Sequence, residues 1–279
     1  MPETVQARPV AKPPAQFAKR LMTRQSALPW ITTPLLIGVL IGVWEGYVRF
    51  AGVSPLILPG PAAVWAAWLE LLRDPRAWHH TWMTVYATLT GFAYATVIGV
   101  SLGVLIARIR WLELTLNPFI VASQVIPKVA LVPLFVLWFG FGITSKVIVA
   151  AVLAFFPILT NTAMGVKSID EGHRDVMVSL NATRWQVFRR LEFPSALPYI
   201  ITGLEIGIVL AIIGAIVGEY LGGNAGLGHL LIARLNAFET DQMFAVLIHM
   251  SILGFVFYFA IGALRKMLIP WHASARMKL

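Results

Sequence analysis

Few residues in this 279-residue chain have chemistry to offer, and those few lie where they are costly. Glu205 and Glu219 fall in one apolar run, fourteen residues apart, which is close to four helical turns and sets them near one face. Lys128 follows Pro127 in another apolar run, with Pro133 further along it. An ionisable group at membrane depth costs roughly 2.5–3.5 kcal/mol on insertion scales, so it ordinarily faces a pathway or a partner. The two carboxylates could carry protons, gate, pack between helices, snorkel or cap an amide. Lys128 could attract an anion or pair with a carboxylate.

Catalysis finds no such footing. His79 and His80 are adjacent, while His173, His229, His249 and His272 are scattered without zinc-ligand spacing. No nucleophile sits with a base, and the lack of cysteine removes disulfides, thiolate metal sites and cysteine-ligated iron–sulfur clusters. A Gly-x-x-x-x-Gly-Lys-Ser/Thr phosphate loop is missing too, since Gly165-Val166-Lys167-Ser168 lacks its order. The chain therefore reads as a non-catalytic subunit without a cofactor of its own, and any energy from ATP must come from another polypeptide.

The elements that position these residues are membrane helices. With 58% apolar and 13% charged residues and a mean hydropathy of +0.77, the sequence carries more apolar surface than a soluble core could hide. A crossing needs about 20 apolar residues. Six stretches approach or meet that length: Ile31 to Val48, Trp82 to Ala107, Leu116 to Phe139, Lys146 to Met164, Leu197 to Glu219 and Phe244 to Leu264. Their continuous character excludes the alternation of a β-barrel. Pro127-Lys128 and Pro133 break the third, and a broken helix is tolerated where freed backbone groups line a cavity, so the pathway is expected there. Trp138, Phe139, Phe141, Phe155 and Phe156 read as packing or interfacial residues rather than a solute clamp.

The net charge of +9 follows topology, not nucleic acid. Arg8, Lys12, Lys19, Arg20 and Arg24 precede the first span, Arg108 and Arg110 follow the second, Lys167 to Arg190 separates the fourth from the fifth, and Arg265, Lys266, Arg276 and Lys278 follow the sixth. All fall on one side if both termini are cytoplasmic, with Arg49, Arg73, Arg76 and Arg234 as exceptions. The expected organisation is a mobile cytoplasmic tail at 1–28, a first span and an outer amphipathic helix at 29–80, a transport core at 81–268 and a cytoplasmic tail at 269–279. The proline-rich tail carries no cleavage site of a signal peptide. In the outer helix, Ala62 to Arg73 after Pro59-Gly60-Pro61, Trp65, Trp68 and Leu72 suit anchoring among headgroups or contact with an external partner.

The inside loop 167–198 has too much local order for a linker. Ile169 to Leu180 has helical character, Asn181 stands where a left-handed residue would end that helix, and Thr183 with Gln186 has capping-box spacing. A second helix is expected from Arg184 to about Leu191, stopped by Pro194 and Pro198, which start the next span. A helix, a sharp turn and a helix projecting from the bilayer can transmit force.

This loop resembles that of the permeases of ABC importers, whose pattern is Glu-Ala-Ala, three residues, Gly, nine residues, Ile, one residue, Leu-Pro. Asp175, Val176 and Met177 take the first three positions, Asn181 the Gly position, Leu191 the Ile position and Phe193-Pro194 the last pair. Other segments look like the nitrate/sulfonate/taurine branch: Leu58-Pro59-Gly60-Pro61, Pro127 to Phe135, Trp138 to Gly142, Phe156-Pro157 with Asn161-Thr162, Leu197-Pro198, Gly203-Leu204, Gly218-Glu219 and Gly226-Leu227-Gly228. The resemblance implies an all-α, polytopic type I importer permease of about six transmembrane helices in the bacterial inner membrane. It implies two permease copies, here read as a homodimer, a cytoplasmic ABC ATPase dimer that uses ATP and Mg, and an extracytoplasmic substrate-binding protein. It carries ATPase coupling onto Asp175, Val176, Met177, Val178, Asn181, Ala182, Leu191 and Pro194, and the translocation pathway is expected at Pro127, Lys128, Pro133, Glu205 and Glu219. The branch handles nitrate, alkanesulfonates, taurine, pyrimidine precursors and aromatic carboxylates, and the segment from Gly214 to Glu219 looks more like the pyrimidine or aromatic-acid members. The competing reading, a proton-coupled secondary transporter, would use Glu205 or Glu219 as carriers, and no internal repeat supports it.

Overall fold

A computed structural model describes residues 15–270, so the expected tail segments at 1–14 and 271–279 lie outside the described residues. The chain forms two units, divided between Ala63 and Val64. In the first, helix α1 (Ala15–Phe50) contains the first span and begins well before residue 29, so the expected tail is helical from Ala15. From Trp30 its apolar side chains point outward all round, the pattern of a helix solvated by lipid.

The second unit follows with α2 (Pro61–Arg73, its first turn in the first unit), α3 (Pro75–Arg108), α4 (Arg110–Val125), α5 (Val132–Phe139) and α6 (Ile143–Lys167). Beyond lie α7 (Glu171–Ser179), α8 (Arg184–Val187), α9 (Phe193–Gly222), α10 (Leu227–Asn236) and α11 (Thr240–Leu268). Among the described residues there is no strand, and five helices are long and apolar enough to cross a membrane. A sixth crossing arises if α4 and α5, bent by 87° at a short break, count as one span.

Helix α6 lies between α3 and α9, and small residues set how closely they approach. On α3, Ala87, Gly91, Ala95, Gly99 and Gly103 recur every fourth position and are buried. A Cβ on Gly91 would stand 2.6 Å from the Ala150 Cβ, and one on Gly103 2.7 Å from the Thr162 Cβ. On α9, Gly203, Gly207, Gly214 and Gly218 meet Asn161, Ile158, Ala150 and Lys146 in turn. Contact registers thus run parallel for α3 with α6 and antiparallel for α9, which brings Arg108, Lys167 and the start of α9 to one end, called here the basic end. Without a hydrophobic drive between helices in lipid, such close backbone packing is what holds a bundle together.

Three expectations change. Pro133 was expected to break the third span but sits in the first turn of α5, where its missing N–H costs nothing; the break is at Pro127, followed by a single 3₁₀ turn at Lys128–Leu131. Pro194 and Pro198 were expected to stop the second loop helix, yet α8 runs through a π-helical turn (Phe188–Glu192) directly into α9. That turn shifts the backbone bonds to i→i−5, with the Phe193 N–H donating to the Phe188 carbonyl, and so absorbs the proline entry. The outer amphipathic helix turns Val64, Ala67 and Leu71 into the protein, with Leu71 in a cluster with Leu227, Val246 and Met250, and leaves Trp65 outside.

Gly91→Ala should overpack the α3–α6 seam at a cost of about 1–3 kcal/mol. Gly262→Ala on α11, where a Cβ meets nothing within 4 Å, should not. Thermal unfolding of the two purified variants in detergent should show a lowered midpoint for the first and an unchanged or raised one for the second.

Candidate functional site

The break at Pro127 opens a cavity of about 480 Å³ between the α4–α5 bend, the middle of α6 and α9. Its polar lining comes from Gln124, Lys128, Thr160 and Asn161, and its apolar walls include Phe156 and Leu210. The Lys128 Nζ lies 5.0 Å from the centroid of the Phe156 ring, a cation–π contact, and Lys128 has no carboxylate partner among the described residues. Phe156, read from sequence as packing, is therefore part of the cavity wall. Pro157 interrupts the α6 ladder beside it, leaving the Leu153 carbonyl without its usual donor. Thr160 Oγ1 donates to the Phe156 carbonyl at 2.9 Å and Asn161 Nδ2 to the Pro157 carbonyl at 2.8 Å. These bonds leave the Thr160 and Asn161 oxygens able to accept. The cavity offers one cation, one aromatic face and several hydrogen-bonding groups at mid-depth. Neither a carboxylate nor an imidazole lines it.

Of the residues expected in the pathway, Pro127 and Lys128 line this cavity, whereas Pro133, Glu205 and Glu219 do not. Glu205 pairs with Arg265 of α11 at the basic end of α9.

Glu219 belongs to a buried polar latch at the opposite end. Helix α10 starts on a glycine N-cap, Gly226 with φ +111°, which supplies no side chain to its own free N–H groups. Other helices supply them. The Gly226 N–H donates to His80 Nδ1 at 3.0 Å, the Leu227 N–H to Thr84 Oγ1 at 2.9 Å and the Gly228 N–H to Glu219 Oε2 at 2.9 Å. Thr84 Oγ1 in turn donates to both Glu219 oxygens, at 2.8 and 2.9 Å, and Lys146 Nζ donates to the Ala225 carbonyl at 2.7 Å. Lys146 and Glu219 are fully buried. The carboxylate also stands at a helix N-terminus, where the macrodipole favours it. Sequence reasoning missed His80, Thr84 and Lys146. Lys146 read as a span boundary, and only its identity as a lone cation before an otherwise apolar helix signalled more. The fold also brings His80 within about 6 Å, ring to ring, of His79 and His229, but no group able to hold a metal ion exists among the described residues.

The third place is the hairpin after α6. Asp170 caps α7 by accepting from the Gly172 N–H at 2.7 Å. At the other end Asn181 takes φ +50°, with its N–H on the Val178 carbonyl and the Ala182 N–H on the Met177 carbonyl, the two bonds of a Schellman motif. Thr183 and Gln186 close a reciprocal capping box that starts α8. Val176, Val178, Leu180 and Trp185 are 58–71% exposed on this hairpin. Leu191 and Pro194 lie further on, partly buried in the π turn and the first turn of α9.

Comparison with known proteins identifies the family and the fold. Residues 95–271 match the family profile described as binding-protein-dependent transport system inner membrane component. The chain is similar to the riboflavin transport system permease protein RibX of Chloroflexus aurantiacus, 39% identical over 88% of this chain and 92% of that protein. It is also similar to the formylaminopyrimidine transport permease protein ThiX of Halalkalibacterium halodurans, 39% identical over 84% and 93%. The taurine transport system permease protein TauC of Escherichia coli is 29% identical over 86% and 89%. A solved MetNI methionine ABC transporter in an inward-facing conformation superposes with a TM-score of 0.57 at 20% identity, over 70% of this chain and 98% of that one, and so shares the fold.

Removing one member of the latch should be expensive. Glu219→Ala leaves the Gly228 N–H and the Thr84 hydroxyl without their acceptor, a loss on the order of 1–3 kcal/mol. The double variant Lys146→Met, Glu219→Leu should lose less than the sum of its singles, as measured by thermal unfolding in detergent, with proteolysis between Gly223 and Gly226 reporting release of α10.

Proposed function

This chain belongs to the family of binding-protein-dependent transport system inner membrane components, and from that premise we propose how it works as the permease subunit of an ABC importer. A cytoplasmic ATPase dimer, using ATP and Mg, grips the hairpin of α7 and α8, and an extracytoplasmic binding protein delivers solute at the end that carries the latch. Both termini are cytoplasmic, in keeping with the Lys and Arg clusters at the basic end. Two copies of the chain face each other; no described side chain of α4 is buried within the chain, which leaves that helix free for a partner or lipid.

The observation that carries the reading is the hairpin. Its Schellman turn and capping box hold it stiff, and yet it exposes Val176, Val178, Leu180 and Trp185. Stiffness and exposed apolar side chains together suit a lever docked in another protein's groove. The coupling residues from Asp175 to Ala182 lie on it, with Leu191 and Pro194 at its root.

For the solute we favour a planar nitrogen heterocycle. Two relatives at 39% identity are named for riboflavin and formylaminopyrimidine transport, against 28–29% for those named for sulfonate, taurine or nitrate. The cavity suits such a ring, with the Phe156 face, the Lys128 cation and the amides of Gln124 and Asn161 to meet ring carbonyls and nitrogens. Proton-coupled transport would need a carboxylate in that cavity; Glu205 and Glu219 are both engaged elsewhere.

The purified complex should contain an ATPase subunit, and failure to co-purify one would end this reading. Within the assembled transporter, Asn181→Gly should keep uptake, whereas Asn181→Val, strained by about 1–2 kcal/mol in the left-handed region, should reduce it severalfold. Lys128→Ala should lower uptake in proteoliposomes while ATP hydrolysis persists; wild-type uptake in that variant would remove Lys128 from the pathway.

A further inference from the structure

Another ionic centre, outside the cavity and the latch and separate from the Glu205–Arg265 pair, sits at the basic end. Glu192 is the last residue of the π turn, and it is 8% exposed. One of its carboxylate oxygens takes Arg174 of α7, Nη2 at 3.2 Å, and the other takes Arg108, the final residue of α3. The Arg108 guanidinium also lies 5.3 Å from the centroid of the Phe188 ring, at the first residue of the same turn. A single acid thus joins the end of α3 to α7 and the π turn of the hairpin that follows α6. Removing it would leave two guanidinium groups facing each other without an anion between them. In the permease pattern that this loop resembles, Glu192 stands at the unspecified position between Leu191 and Phe193, so the pattern assigns it no role.

The surroundings give this centre mechanical meaning. Helices α3 and α9 are the two that clasp α6, whose Phe156, Thr160 and Asn161 line the cavity. Helix α7 reaches them through Glu192, and α9 is entered through a single π turn, a feature that occurs frequently at functional sites. We propose that Glu192 is a positioning residue that transmits displacement of α7 to the basic ends of α3 and α9 together, and so sets how tightly ATP hydrolysis is coupled to solute movement. This rests on the ATPase docking at α7 proposed above. Arg174 receives the movement, Glu192 divides it, and Arg108 with the π turn passes it to both sides of α6.

The test is the number of ATP molecules hydrolysed per solute transported, measured on the complete transporter in proteoliposomes. Glu192→Gln should raise that ratio by about threefold or more while hydrolysis itself stays near wild type. Glu192→Asp, which retains the charge, should restore much of the coupling. Arg174→Gln should raise the ratio similarly, and the double variant Arg174→Gln, Glu192→Gln should be no worse than either single. An unchanged ratio in Glu192→Gln, or additive effects in the double variant, overturns the proposal. Should Glu192→Gln fail to assemble, Arg174→Gln decides, a raised ratio supporting the proposal and an unchanged one refuting it. If the wild-type chain binds no ATPase, it is the importer mechanism that fails, and this inference with it. If wild-type hydrolysis drives transport and only the ratio is insensitive to these substitutions, the inference fails alone.

Discussion

Everything in this molecule depends on how closely α3 and α9 approach α6. Lipid offers no hydrophobic reward for bringing apolar helices together, so the association must come from contact at short range. The glycines and alanines on α3 and α9 permit that approach, with backbone and Cβ atoms of α6 filling the space that larger side chains would need. Once the three helices are clasped, Lys146 and Glu219 are enclosed from all sides, the middle of α6 becomes one wall of a cavity, and the basic ends of α3 and α9 meet beside α7.

The enclosed polar groups then follow from the same constraint, because each buried donor and acceptor must find its partner within the protein. At the latch, the glycine start of α10 is capped by His80, Thr84 and Glu219, while Lys146 holds the preceding carbonyl. Around the cavity the satisfaction is less complete. The interrupted ladders at Pro127 and Pro157, and Lys128 with no carboxylate partner among the described residues, leave polar capacity beside the cavity. The latch ties α10 to α3, α6 and α9, and the cavity is where the solute is proposed to bind.

Features written in local chemistry were legible in the sequence. Asn181 announces a left-handed residue, Thr183 and Gln186 announce a cap, and Pro127-Lys128 announces a broken span; all three are determined within a few residues and stand as expected. Features that depend on distant partners were not. The latch draws on residues 80, 84, 146, 219 and 225–228, which no spacing rule connects. The π turn was hidden because Pro194 reads as a stop unless the preceding backbone bonds change register. Glu192 carries no local signal of its role, because Arg108 and Arg174 reach its two oxygens only through the fold.

A bundle braced at one end and levered at the other can change the shape of what lies between, and the hairpin of α7 and α8 is where force from another protein would enter. Because the chain contains no cysteine, a single one placed at Val178 is a unique chemical handle on that hairpin. The most direct measurement is cross-linking from Val178→Cys in the assembled, transport-competent complex, followed by identification of the captured chain. The result expected is a cross-link to the ATPase subunit whose yield changes between ATP-bound and nucleotide-free states. An ATP-driven transporter in which Val178→Cys captures no ATPase subunit in either state would contradict the mechanism at its centre.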